Sequence, residues 1–348
     1  MKKMIKFPSM EQFRNIVTTI DSRYNFTGLD ENGNAVYDPS LPKPVITFKG
    51  TVKLHGTNAG VSYNNEAGVW AQSRENIITS QKDNAGFAFF VESNDTVFRE
   101  LFDIIATHNN IDCDTNTISI YGEWAGKGIQ KGVGISSLPD KTYFVFGVKI
   151  TPHTDTEEEQ KANPAYWVTS SYVEYVNHRI YNIEDFQTYS IDIDFNMPQL
   201  VQNQLSELTL QVEEQCPVAK VFGFNGVGEG IVWTAEFKGV VHRFKVKGEK
   251  HSSSKVKTIA SVDVEKIDSI TEFIEYSVTE SRLNQALENV FPNNQPIDIK
   301  KLGDVIRWVV TDIIKEETDT LASNGLEPKD VNKYISNSVR TKFFNLAY

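Results

Sequence analysis

Between about Pro44 and Val148 the chain is built from short runs in which apolar and polar residues alternate. VITFKGTVK, AGVSYN, GVWAQS, TISIYGEW and TYFVFGVKI are rich in β-branched and aromatic residues and are parted by Gly, Asn and Asp, the pattern of strands joined by turns. One stretch interrupts them: Phe87 to Ala106 repeats its apolar residues at helical spacing. Strands resume in GIVWTAEF and VHRFKVKG, which read as a hairpin turning at Lys238-Gly239. After Gly248 the pattern changes. EKHSSSK is polar and serine-rich, as a linker would be. Beyond it Leu302, Val305, Ile306, Val309, Val310, Ile313 and Ile314 fall on one helix face. Val264 to Val290 repeats that spacing more loosely. The pattern predicts an α+β protein: residues 1–250 form a domain of strands with flanking helices, and residues 256–348 a small all-helical domain.

Bulk properties narrow the picture. At 348 residues, 40% apolar and 23% charged, the composition is that of an ordinary globular protein with room for two domains. No apolar run approaches the ~20 residues needed to cross a bilayer, and no apolar segment follows the N-terminal lysines as in a secretion signal. A cytoplasmic location is expected, with Cys113 and Cys216 as reduced thiols. His153, His178, His242 and His251 form no metal-ligand spacing and read as surface residues. The net charge of -11 opposes a nucleic-acid partner only if it is spread evenly. It is not: Asp155 to Glu214 holds 12 acidic and two basic residues, so the rest of the chain is nearly neutral. This segment, about 155–218, reads as an acidic insertion of short helices and connections at the surface, too negative to lie along a polynucleotide.

The candidate chemistry sits at strand ends. Lys53-Leu54-His55-Gly56-Thr57-Asn58 closes one strand with a lysine and a glycine that lets backbone approach a ligand. Ser73-Arg74 closes a later strand. Tyr121-Gly122-Glu123-Trp124 ends in a carboxylate and runs into a Gly/Lys-rich loop, Ala125 to Gly132; Phe144-Val145-Phe146-Gly147 is an aromatic strand. Glu229 precedes a glycine at a strand start, and Phe244-Lys245-Val246-Lys247 alternates, so both ammonium groups share one face. Trp124 reads as packing.

In that order the segments resemble the RNA ligase 2 family, phage-type ATP-dependent RNA ligases related to RNA-editing ligases, DNA ligases and mRNA capping enzymes. K-x-H-G-T-N at Lys53 and G-E-(aromatic)-A-G-x-G-I-Q-K-G at Gly122 carry the likeness most specifically. The resemblance implies a nucleotidyltransferase domain, ATP-grasp-like, of antiparallel sheets with flanking helices. It implies three steps: ATP adenylylates Lys53, AMP moves to an RNA 5'-phosphate, and a 3'-OH displaces AMP. Lys53 is similar to the nucleophile, while His55 and Asn58 resemble polar groups at the phosphate and ribose. Arg74 is similar to the arginine serving the sugar and the 3'-OH end, Glu123 to the ribose-binding acid, and Phe146 to the ring stacked on adenine. Glu229 resembles the metal-associated acid for Mg2+ or Mn2+, and Lys245 and Lys247 the α-phosphate contacts. Those two lysines would also depress the Lys53 pKa by like-charge repulsion. In the helical domain Arg282 and Asp312 resemble RNA-end-binding positions. Val52 stands at a nucleotide-binding position where relatives often have an acid; the change is harmless if that neighbour acts on adenine through its backbone, and alters base selection if its charge matters.

The implied partners are RNA ends, in nicked duplex RNA or an RNA–DNA hybrid, with nick repair as the role, a monomer as the working form and host cytoplasm as the setting if a phage encodes it. A DNA ligase or a guanylyltransferase on the same scaffold, and an inactive nucleic-acid-binding relative, are the alternatives. His55 where DNA ligases usually carry Asp, and helices where both rivals place an all-β module, favour the RNA ligase.

Overall fold

A computed structural model describes residues 2–248, 270–292, 295–323 and 326–347. The chain divides into two compact units, one of residues 1–195 and 214–246 and one of residues 196–213 and 247–348. The expected linker EKHSSSK and the residues from Val264 to Ser269 lie outside the described residues.

The first unit opens with helix α1 (Phe13–Arg23), which buries Phe13, Ile16 and Ile20 at helical spacing. A small hairpin follows, β1 (Phe26–Leu29) and β2 (Ala35–Tyr37). Next come β3 (Val45–Lys53), β4 (Thr57–Asn64), β5 (Gly68–Ser73) and β6 (Ile77–Ile78). The helical stretch expected over Phe87–Ala106 is two helices, α2 (Phe87–Ser93) and α3 (Asp95–Asn109), because Asn94 leaves helical geometry at φ -120°, ψ 26°. Then follow β7 (Asn116–Ala125), β8 (Thr142–Pro152), α4 (Glu157–Ala162), β9 (Tyr166–Val168), β10 (Ile180–Asn182) and β11 (Thr188–Asp194). The chain then passes through α5 (Gln202–Glu214), nearly all of it in the second unit, and returns with α6 (Pro217–Val221), β12 (Gly230–Phe237) and β13 (Val240–Lys247). That last pair turns at Lys238 and Gly239, at φ 51° and 73°, the two left-handed positions that a two-residue hairpin turn needs.

Apart from the β1–β2 hairpin, these strands make two sheets. One has seven strands in the order β10-β8-β7-β4-β5-β6, with β9 also paired to β8. All its pairs are antiparallel except β10 on β8. The other has four, in the order β11-β3-β12-β13. Alternation sorts the faces. Ile118, Ile120 and Trp124 of β7 join Val145 and Val148 of β8 against Phe98, Leu101, Phe102 and Ile105 of α3. The opposite face of β7 is left with Tyr121 and Glu123.

The acidic stretch is more than the helices and connections expected of it. It supplies β9 and β10 to the larger sheet and β11 to the smaller one, where Ile191 and Ile193 are buried. Its carboxylates occupy alternate strand positions that leave the apolar ones inward, as at Asp192 and Asp194.

In the second unit the described residues after Gly248 form helices: α7 (Ile270–Ser277), α8 (Glu280–Val290), α9 (Leu302–Glu316), α10 (Thr318–Ser323) and α11 (Pro328–Ala347). Val305, Val309 and Ile313 of α9 meet Val331, Ile335, Val339 and Phe343 of α11 in one core. Both rows step by four residues, one stripe per helix. No helix among the described residues is long and apolar enough to cross a membrane.

Candidate active site

Lys53 ends β3 and Gly230 begins β12, and the two residues are cross-strand partners. That register brings Glu229, one residue earlier, to the lysine. Lys53 Nζ donates to Glu229 Oε2 at 2.7 Å, and His55 Nδ1 lies 3.4 Å from the same oxygen. The Glu229 side chain is 2% exposed and that of Lys53 16%. Across the strand ends Asn58 of β4 pairs with Glu123 of β7. Glu123 Oε1 accepts from the Gly56 backbone N–H at 2.9 Å, which fixes the turn between β3 and β4. Gln130, from the Gly/Lys-rich loop, donates to the Gly56 carbonyl at 3.1 Å. Residues far apart in sequence thus converge on one turn.

The electrostatics correct one expectation. Burial alone would push the Lys53 pKa down, but the Glu229 and Glu123 carboxylates outweigh it and hold the pKa above its ordinary 10.5, with Arg74 opposing them. The expected depression is not the net result. In the ligand-free protein Lys53 is therefore an ammonium. Glu123 moves the other way for its class: burial raises it to about 7, against the pull of Lys53, with Glu229 adding to the rise. A carboxyl deprived of water favours its neutral form.

Lys245 and Lys247 reach the same face of the smaller sheet as Lys53. Counting back from the two-residue turn puts Phe244 opposite Trp233 and Lys245 opposite Val232. The Trp233 and Phe244 rings indeed stack, 6.4 Å apart at 20°. Val232 in turn faces Thr51, two residues before Lys53. Sequence alternation could have added Arg243 to this face, a residue the motif order passes over. Its guanidinium lies 4.0 Å from the Trp167 ring centroid and 5.6 Å from that of Phe7, and burial lowers its pKa to about 10.

The other expected residues are placed as follows. The Val52 side chain is 2% exposed, in the core behind the sheet, so only its backbone is available to a nucleotide. Phe146 is half-buried and meets Phe7 edge-on at 5.1 Å, while Phe144 is fully buried. Arg74 stays largely exposed at the end of β5, its Nε 3.8 Å from Glu75. Trp124 packs on Phe87 and Phe90, as expected. Both cysteines are buried thiols.

Arg282, expected at an RNA end, has a side chain that is 0% exposed. Its guanidinium donates to the Ser277 carbonyl, to Asp312 at 2.8 Å and to Glu317 at 3.4 Å. Its donors are spent closing α7 and tying α8 to α9, and Asp312 is its ion-pair partner. His242, read as a surface residue, is 7% exposed, and burial lowers its pKa. His153 and His178 are exposed, bonded to Thr117 and Asn94, while His251 lies outside the described residues.

Comparison with known proteins adds a family. The RNA ligase family model matches residues 46–247, a span that begins at the second residue of β3 and holds every later strand. Among solved structures, a Naegleria gruberi RNA ligase mutant with AMP and Mn aligns at 15% identity, covering 70% of this chain and 56% of that one, with a TM-score of 0.41. Another mutant, with ATP and Mn, aligns at 14% identity with a TM-score of 0.40, and the Naegleria gruberi enzyme with PPi at 16% with a TM-score of 0.39, both with the same coverage. The chain thus spans a little over half the length of these structures. No curated protein matches it.

Proposed function

Because the chain belongs to the RNA ligase family, we propose that it is an ATP-dependent RNA ligase that works through a lysyl-AMP and an RNA-adenylate, sealing nicks in RNA or RNA–DNA duplexes. The observation that carries this reading is the buried contact of Lys53 with Glu229, made beside Glu123 and His55 in the turn between β3 and β4.

Lys53 Nζ, once neutral, attacks the α-phosphorus of ATP; an N–P bond forms and the bond to the leaving diphosphate breaks. An RNA 5'-phosphate oxygen then attacks that phosphorus, the N–P bond breaks, and the amine takes up a proton as it leaves. A 3'-OH finally attacks the 5'-phosphorus and AMP departs with the bonding electrons. Lys245 and Lys247 face the phosphates from β13 and offset the charge of each in-line displacement. Glu123 accepts from the ribose, Phe146 stacks on adenine, and Val52 contributes its backbone. Asn58 and His55 orient the sugar and phosphate, and Arg74 serves the 3'-OH strand.

The donor set fits a divalent cation only in part-protein form. Among the described residues no three His, Cys, Asp or Glu side chains could enclose an ion. Glu229, beside Glu123, suits Mg2+ or Mn2+ that keeps water and nucleotide phosphates as its other ligands. Glu229 would hold such a cation, which would supply charge neutralisation for the triphosphate. Without it, the ion pair stores the lysine as an unreactive ammonium.

Incubation with α-labelled ATP and a divalent cation is expected to leave acid-stable label on the wild-type chain and none on Lys53→Ala. Label from GTP alone would move the assignment to capping chemistry, and no label from either nucleotide would leave a binding protein. Matched RNA and DNA nicks then decide the strand class.

A further inference from the structure

A cavity of about 420 Å³ opens beside the catalytic turn. Trp124 lines it, and by alternation along β7 that ring faces away from Glu123. Phe89 and Phe90 of α2, Lys127 of the Gly/Lys-rich loop, Lys141 ahead of β8, and Arg179 complete its main walls. Asp140 is the one carboxylate among the lining residues, against three cations.

Most of these groups are fastened. Lys141 Nζ and Trp124 Nε1 both donate to the Ala85 carbonyl, at 2.7 Å and 3.0 Å. Arg179 donates to the Lys141 carbonyl at 3.1 Å, and its guanidinium lies 5.6 Å from the Phe90 ring centroid. Asn84, in the same turn as Ala85, donates to Thr57 Oγ1 at 3.1 Å. The cavity wall is therefore bonded to the strand that follows Lys53. Phe89 is the exception in character rather than position. Its backbone N–H is held by Asp83 at 3.0 Å, yet its side chain is 66% exposed. Lys127 makes no ion pair with any described residue.

An exposed ring on a fixed backbone, beside an excess of cations, suits a ligand that pairs a π-face with negative charge. Arg179 also meets Asp140 at 3.7 Å, so an apolar ligand would leave Lys127 without a partner, and an acidic peptide would leave the ring without one. The geometry points to a polynucleotide subsite here, taking one unpaired nucleotide with its base on Phe89 and its phosphate between Lys127 and Arg179. This rests on the RNA ligase reading and adds a second contact to it, on the face of β7 away from Glu123. Bases that are not paired offer their faces to such rings, whereas a duplex hides them.

The test uses the full chain and a fluorescent single-stranded oligoribonucleotide, read by anisotropy, with ATP labelling of Lys53 alongside. Phe89→Ala is expected to weaken binding about tenfold, Phe89→Trp to restore it, and Lys127→Glu to weaken it and lower the slope of log affinity against log salt by about one. ATP labelling should persist in all three, since it uses none of these side chains. Equal RNA binding by wild type, Phe89→Ala and Lys127→Glu would overturn the subsite and leave the ligase reading standing. Loss of ATP labelling in Phe89→Ala would also overturn it, by tracing the defect to the nucleotide site or the fold. A wild-type chain that neither takes label nor binds RNA would remove both.

Discussion

Gly56 has no room for a side chain. A Cβ there would run into the Trp124 carbonyl oxygen and lie 2.9 Å from Ala125 Cβ and 3.0 Å from Glu123 Cγ. All three atoms belong to β7, so Gly56→Ala must shift the turn that follows Lys53 and carries His55. Misplacing a nucleophile by about 1 Å costs on the order of 100-fold. Self-adenylylation by Gly56→Ala is expected to fall by that much while circular dichroism stays native. Charge makes a second demand at this scale. The raised Lys53 pKa means that the reactive neutral amine gains population as pH rises, so the single-turnover rate of label uptake should climb through the alkaline range. Glu229→Gln removes the largest carboxylate influence holding the proton. If Glu229 holds the cation as proposed, its rate should be lower throughout, and its pH profile should shift to lower pH. A profile that keeps its midpoint would show that Glu229 does not govern the lysine's proton.

At the scale of elements, the helical unit is tied by one buried cation. Arg282 joins the end of α7, the start of α8 and the middle of α9, and Glu317 beside it is 2% exposed. Removing one partner of such a pair leaves a buried charge uncompensated, at a cost of about 3–5 kcal/mol. Arg282→Met is expected to lose that much in urea denaturation of the full chain, read from the transition of the helical unit. An arginine that served only an RNA end would lose affinity and keep stability. The sequence shows why the RNA-end role was attractive, since Thr279-Glu280-Ser281-Arg282 is a polar run at a helix start. The Thr279 hydroxyl caps that helix by accepting from Arg282 N. Only the meeting of α7, α8 and α9 shows that the polar run turns inward.

Across the whole molecule, the division into units does not follow the chain. Residues 196–213, which include nearly all of α5, cluster with residues 247–348 rather than with their sequence neighbours. Leu205, Thr209 and Val212 of α5 are buried. A chain ended after Gly248 would strip α5 of the unit it belongs to. Limited proteolysis is expected to cut such a truncated chain within residues 196–213 and to spare that segment in the full-length protein. Equal resistance in both would show that α5 is held by the first unit alone.

The strands, the hairpin at Lys238-Gly239, the stripe on α9 and the grouping of Lys53, Glu123 and Glu229 into one motif order could be read from the sequence. Period-two and period-four spacing are local properties of the backbone and survive without knowledge of neighbours. What local spacing cannot carry is which side of an element faces what. The acidic stretch looked like a solvated insertion because its charges alternate with the apolar residues that make β11 a sheet strand. His242 reads as exposed because polar side chains usually are, and only packing from other elements encloses it. The protonation of Lys53 is hidden from the sequence for the same reason. Like-charged neighbours are visible along β13, but the carboxylates that dominate the amine arrive by strand register, from residues 70 and 176 positions away in the chain.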